Sequence, residues 1–260
     1  MSFDLDEYLE RIAYDGPREP TLHVLHALTA AHSQTIPFEN LDVMLGRPVR
    51  LELDAVHDKL VRQRRGGYCF EQNGLFLHVL AQLGFTVLPL SARVRLQRPR
   101  DFTPPRTHLF VRVELEGQSW LTDVGVGAMS LTSALRLVLD VAQETPHEPR
   151  RIVHEQGRFF HQAYFAETWN DVYEFTLEQM PPIDRELGNW YTSTHPSSHF
   201  RTATMVARAA PDGARITLLN RELSFRQRDG RADKRELRAH EVEAALLEHF
   251  GLRLPEGARL

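Results

Sequence analysis

The chain has 260 residues, 42% of them hydrophobic and 25% charged, a balance that builds a buried core and excludes a disordered chain. Its 15 Gly and 15 Pro exclude collagen-like and low-complexity classes. Lys and Arg total 31 against 35 Asp and Glu, a net charge of −4 that supplies no field for gripping a phosphate backbone, so nucleic acid is not an expected partner.

The N-terminal segment MSFDLDEYLERIAYDG lacks a cationic region ahead of an apolar run, and nowhere do about 18 apolar residues follow one another. A cytoplasmic protein without a secretory signal or membrane span is expected. Leu5, Tyr8, Leu9 and Ile12 fall at helical spacing behind Ser2 and Asp4, both suited to cap a helix that ends at Asp15-Gly16-Pro17. Thr21 is placed to cap a second helix carrying Leu22, Leu25 and Leu28, and Asp54 a third carrying Val56 and Leu60. A fourth is predicted from about Cys69 to Leu83, with Leu75, Phe76, Val79, Leu80 and Leu83 on one face and Gly84 as its stop.

After Gly84 the period changes to that of strands. Segments 85–95, 107–115, 119–124, 151–153, 159–166, 172–177, 202–209, 215–219 and 222–227 carry β-formers, and the middle of the chain reads as a twisted sheet or barrel. The stretch RQRDGRADKRELR at 226–238 mixes both signs and reads as a solvated hairpin or linker. Helix returns at His240 to Phe250, with Val242, Leu246, Leu247 and Phe250 on one face and Gly251 as its stop. The fold class is therefore α+β.

A single cysteine excludes an internal disulfide and a Cys-rich zinc site. Cys69 follows Gly66-Gly67 at the head of the fourth helix, where unpaired amides and the helix dipole favour a thiolate. Gly67 allows a sharp turn there, and amides of the first turn can receive an oxyanion. Position alone leaves two roles open for Cys69, a small buried hydrophobe or a nucleophile.

The segment THLFVRVELEGQSWLTDVGVG bears on that choice, because a thiol nucleophile needs an imidazole base and the imidazole a carboxylate. If Glu116-Gly117 is a two-residue turn, Leu115 faces Gln118, and alternation puts His108 and Asp123 on one face as diagonal neighbours, roughly 7–8 Å apart at the backbone. The other face then carries Leu109, Val111, Val113, Leu115, Trp120 and Val124, with the helical unit expected to bring Cys69 to the His108 side. A turn one residue longer or shorter would separate His108 from Asp123.

The runs IPFENLDVMLGRPVRLE at 36–52, RRGGYCFEQNGLF at 64–76, RTHLFVRVELEGQSWLTDVGVG at 106–127 and NWYTSTHPSSHF at 189–200 resemble the arylamine N-acetyltransferase family over nearly the whole chain, in family order. The resemblance implies a helical domain at 1–84 carrying the nucleophile, a β-barrel domain at 85–188 carrying the His and Asp, and an α/β lid domain at 189–260. It also implies a Cys69–His108–Asp123 triad related in geometry to that of cysteine proteases and transglutaminases. The substrates implied are acetyl-CoA as acyl donor and a small arylamine, hydrazine or arylhydroxylamine as acceptor, joined by a ping-pong reaction through an acetyl-cysteine. Phe38 and Phe200 are implied in the acceptor pocket, Tyr68 beside the nucleophile, Val126 and Gly127 in the loop that meets both substrates, and Glu39 with Arg64 or Arg65 as an ion pair under the nucleophile loop. No metal and no membrane partner is implied, and oligomeric state is left open.

Two positions depart from the family pattern DVGFGG: Val126 stands for Phe and Ala128 for the second Gly. The departure keeps a second reading open, a macrolactam-forming amide synthase, beside other Cys-His-Asp acyltransferases or hydrolases of the fold. A module with an inert triad is the non-enzymatic reading. His23 with His26 and His195 with His199 have metal-compatible spacings, but the first pair lacks a carboxylate at matching spacing and the second spans Pro196-Ser197-Ser198, so no metal site is expected.

Overall fold

Asp4 opens α1 (Leu5–Arg11) by accepting from the amides of Asp6 (2.8 Å) and Glu7 (3.2 Å), two donors that the helix cannot satisfy itself. The other expected cap, Ser2, lies outside the described residues; the computed structural model describes residues 3–96, 98–255 and 257–258. Thr21 caps α2 (Leu22–Thr35) through the Val24 amide. A short strand β1 (Phe38–Glu39) and a single turn α3 (Leu41–Met44) follow, neither read from the sequence. Helix α4 (Leu53–His57) begins behind Glu52, whose carbonyl accepts from Ala55 and Val56, so Asp54 sits in the first turn and is not the cap. It then widens into a π-helical turn over Asp58–Arg62. Cys69 is the first residue of α5 (Cys69–Gln82), and Gly84 follows it at φ +86°.

Strands β2 (Thr86–Val94), β3 (His108–Leu115), β4 (Gln118–Thr122), β5 (Leu135–Arg136), β6 (Arg150–Glu155), β7 (Arg158–Phe165) and β8 (Thr168–Gln179) form one sheet in the order β5-β4-β3-β2-β8-β7-β6. Bridges from Leu139 to Ile152 and from Gln143 to Arg150 tie the chain after β5 back to β6, so the sheet is a nearly closed barrel. The β3–β4 register pairs Leu115 with Gln118 and Val111 with Thr122, around a turn in which Glu116 (φ 52°) and Gly117 (φ 72°) are both left-handed. That is the geometry a two-residue hairpin requires.

Both faces of this hairpin are buried. Val111, Val113 and Val124 pack against Leu75, Phe76, Val79 and Leu80 of α5, while Phe110 and Leu121 enter the barrel interior with Ile152, Tyr173 and Phe175. The helical unit therefore covers the apolar face and not the His108 side on which it was expected. The head of α5 reaches across, with Cys69 at Thr107 and His108 and Asn73 at Asp123.

Helix α6 (Pro182–Thr194) was also unread, although Pro181-Pro182 and the spacing of Ile183, Leu187 and Trp190 signal it; those three side chains are exposed. Strands β9 (Met205–Ala209), β10 (Arg215–Leu219), β11 (Glu222–Arg226) and β12 (Ala232–Glu236) follow, then α7 (Val242–Phe250). They form a second sheet, ordered β1-β9-β10-β11-β12, so an N-terminal strand is built into the C-terminal layer. The divisions expected at 84/85 and 188/189 fall between α5 and β2 and inside α6. The mixed-charge stretch at 226–238 contains the exposed strand β12, paired to β11. On α7, Leu247 is turned outward and Ala245 takes the buried place beside Leu246, because Leu247 stands 100° further round the helix. The architecture is α+β. Among the described residues no helix is long and apolar enough to cross a membrane.

Candidate active site

The nucleophile loop is shaped by what lies beneath it. A side chain at Gly67 would stand 2.7 Å from Glu71 Oε2, so the glycine is required by space, for the Glu71 carboxylate, and not by a left-handed turn. Glu71 Oε2 accepts from the Tyr68 amide at 3.0 Å, half of a capping box at the head of α5. Arg65, and not Arg64, is the partner of Glu39: its Nη2 lies 2.7 Å from Glu39 Oε1 and 3.2 Å from Asp42 Oδ1. Gln72 donates to the carbonyls of Pro37 (3.0 Å) and Gly67 (2.7 Å), and its own oxygen is bonded by His32, whose other nitrogen meets Tyr8. Burial holds His32 down to about 3, so it stays neutral and keeps that chain of donors and acceptors in one sense.

Cys69, His108 and Asp123 come together where α5, β3 and the end of β4 converge. His108 Nε2 lies 2.7 Å from Asp123 Oδ2, and both residues are buried. The ring's remaining nitrogen is left for the side of Cys69, which lies close enough to affect the imidazole, while the thiol itself donates to the Thr107 carbonyl at 3.5 Å. Burial works against a charged ring at His108, but the Asp123 carboxylate, by charge and hydrogen bond, and contact with Cys69 raise its pKa to about 10. The imidazole stacks parallel to Phe110 and leans on Tyr173.

Asn73 was not singled out from the sequence, yet it joins the three elements. Its Nδ2 donates to Asp123 Oδ1 (2.8 Å) and to the Leu109 carbonyl (2.7 Å), and its oxygen accepts from the Val124 amide (3.0 Å). Its position one helical turn after Cys69 was the available signal. Gly125 must be glycine here, because a Cβ would sit 2.7 Å from Asn73 Nδ2 and 2.8 Å from Cys69 Cα.

Phe38, Tyr68 and Cys69 share one buried cluster with Phe70, Leu109, Met180 and Ala207, against which Phe200 and Ala128 pack. Phe200 stands 6.2 Å from Phe38 and 5.6 Å from Tyr68, ring centre to ring centre. Tyr68 donates its hydroxyl to Asn189 of α6. Gly127 (φ +78°) passes close to Phe38, whereas Val126 faces into the barrel core with Phe110 and Met129. The structure thus gathers Phe38 and Tyr68 into the cluster that holds Cys69, packs Phe200 against it, sets Gly127 against Phe38, and turns Val126 away into the barrel core. His26 bonds Ser133 and the Ala134 amide, and His195 bonds Ser197. Among the described residues, no group of three or more His, Cys, Asp or Glu is placed to hold a metal ion.

Residues 21–259 match the N-acetyltransferase family. The arylamine N-acetyltransferase of Mycobacterium tuberculosis (strain H37Rv) is 44% identical over 98% of this chain and 92% of its own length. The chain belongs to the arylamine N-acetyltransferase family. It is accordingly an acyltransferase. The arylamine N-acetyltransferase / N-hydroxyarylamine O-acetyltransferase of Salmonella typhimurium is 41% identical over 85% of this chain and 78% of its own. A solved structure of the Mycobacterium marinum arylamine N-acetyltransferase in complex with CoA superposes with a TM-score of 0.91 at 43% identity, covering 95% of this chain and 92% of that one.

Proposed function

We propose that this chain transfers an acetyl group from acetyl-CoA to arylamines, hydrazines or arylhydroxylamines through an acetyl-cysteine at Cys69. The observation that carries the reading is the convergence of three buried groups, the Cys69 thiol against the His108 ring and His108 Nε2 at 2.7 Å from Asp123 Oδ2. In the first half-reaction the Cys69 sulfur, its proton held by His108, attacks the thioester carbonyl; the carbon–sulfur bond to coenzyme A breaks and His108 protonates the leaving thiolate. In the second, the acceptor nitrogen or oxygen attacks the acetyl-cysteine, His108 takes its proton, and the Cys69 sulfur is released. Asp123 fixes the tautomer of His108 and stabilises its charge throughout.

The family membership supports the acyl donor, since the M. marinum relative was solved with CoA, and the names of the relatives support the acceptor class. Phe38, Tyr68 and Phe200 offer flat walls for an aromatic ring beside the sulfur, and Gly127 a bare stretch of backbone for the acyl donor. Incubation with acetyl-CoA alone, followed by mass spectrometry, tests the scheme. One acetyl group on Cys69, released on adding an arylamine, is expected; folded protein that stays unmodified, or carries acetyl elsewhere, overturns it.

A further inference from the structure

A carboxylate in the first turn of a helix is ordinarily welcome, but in α5 it shares that turn with the sulfur of Cys69. The buried Glu71 carboxylate competes with a thiolate for the same positive helix end, and like charges in one turn raise the cost of each. Two more acids, Glu39 and Asp42, face the nucleophile loop from β1 and α3. Arg65 answers Glu39 and Asp42. Glu71 is answered by Lys59, whose Nζ lies 2.6 Å from Glu71 Oε1 and 2.7 Å from Asp42 Oδ2.

Lys59 reaches this place through the π-helical turn at Asp58–Arg62, whose extra residue shifts its register from that of an α-helix. The same turn offers the Lys59 carbonyl to the Arg65 amide at 3.0 Å, so one residue props the loop by its backbone and the helix cap by its side chain. The side chain is 14% exposed and that of Glu71 2%, so water screens the pair little.

We propose that Lys59 is a positioning residue for the nucleophile: it neutralises Glu71, so that the carboxylate caps α5 at the Tyr68 amide without opposing a negative charge on Cys69. The inference rests on Cys69 being the nucleophile and adds a residue that acts on it from outside the triad. The groups facing the sulfur and its turn are His108, Asp123 and Tyr68 beside it, and Glu71, Lys59, Glu39, Asp42 and Arg65 beneath it. Of these, only Lys59 contacts the Glu71 carboxylate as a cation.

The test is the pH profile of Cys69 alkylation by iodoacetamide in the full chain, whose inflection belongs to the coupled Cys69–His108 pair. Lys59→Met is expected to move it upward by roughly 0.5–1 pH unit, because it leaves the Glu71 carboxylate without its cation in the turn that carries the sulfur. Glu71→Gln should move it downward, Lys59→Arg should leave it near wild type, and Lys59→Met with Glu71→Gln should return it there. Loosening of the loop would move both single variants the same way. Shifts of one sign, no shift, or a double variant as displaced as Lys59→Met would overturn the proposal. If Lys59→Met does not fold, the sign of the Glu71→Gln shift and the position of the double variant decide. Failure of Cys69 to take acetyl from acetyl-CoA would instead defeat the nucleophile assignment, because alkylation reads the sulfur whatever it attacks.

Discussion

Asn73 leaves Asp123 one orientation. The Asp123 Oδ1 accepts from Asn73 Nδ2 and from the Gly125 amide (3.0 Å), and both donors are fixed by their own neighbours. In an Asp123→Asn variant the new amide oxygen is held by those donors, so its NH2 group faces His108 Nε2. The ring must then carry its proton on the nitrogen that serves Cys69, where it accepts nothing from the thiol. Single-turnover acetylation of Cys69 is expected to fall by roughly a thousandfold or more with the fold retained. A variant that acetylates within tenfold of wild type would remove Asp123 from its assigned role. At this scale the three residues proposed to carry the chemistry stood out in the sequence because their types are few and their spacing is specific, and the structure brings them together. Asn73 was not, since a polar residue in a helix announces no partner until the strands are laid across it.

The β3–β4 hairpin shows what one element decides. His108 and Asp123 meet only because the turn is two residues long, and that turn holds Glu116 at φ 52°, a conformation in which a branched-off Cβ is crowded. Glu116→Asn, which tolerates the left-handed region, is expected to stabilise the protein by about 0.5–1 kcal/mol. A thermal midpoint that stays put or falls would show that the turn carries no such strain. The sequence offered this register on the condition of a two-residue Glu-Gly turn, and the structure supplies that turn. The face on which α5 packs did not, because both faces of β3 are apolar enough to be buried and only the barrel's closure says which one the helix takes.

For the molecule as a whole, Glu148 is the joint. It lies buried between the two sheets and takes Arg150 (2.9 Å) of β6, Arg215 (2.8 Å) of β10 and Arg226 of β11. Arg150 and Arg215 also donate to the carbonyls of Met129 and Ser130, so the cluster holds the segment that follows Gly127. Burial opposes the Glu148 charge, but the three guanidiniums win and hold its pKa far below the usual carboxylate range. Its contribution is therefore complete above the ordinary glutamate pKa of about 4.5 and is lost as pH falls towards the depressed folded value. Glu148→Gln leaves buried cations unbalanced and should cost about 3–5 kcal/mol in denaturant unfolding at neutral pH. A loss below about 1 kcal/mol would mean that the sheets do not depend on this joint.

The amino-acid sequence by itself pointed to a cap at Thr21 and at Ser2 or Asp4, to a helix starting about Cys69, to a hairpin register conditional on a two-residue turn, and to the family, all properties of residues near one another in the chain or of motifs in order. Tertiary structure alone decided the choice of Arg65 over Arg64, the inward turn of Val126, the entry of β1 into the C-terminal sheet and the charge cluster under Cys69. Those depend on which distant groups share a buried space, where an unpaired charge or donor is costly. Contacts across many residues leave no period in the sequence to read.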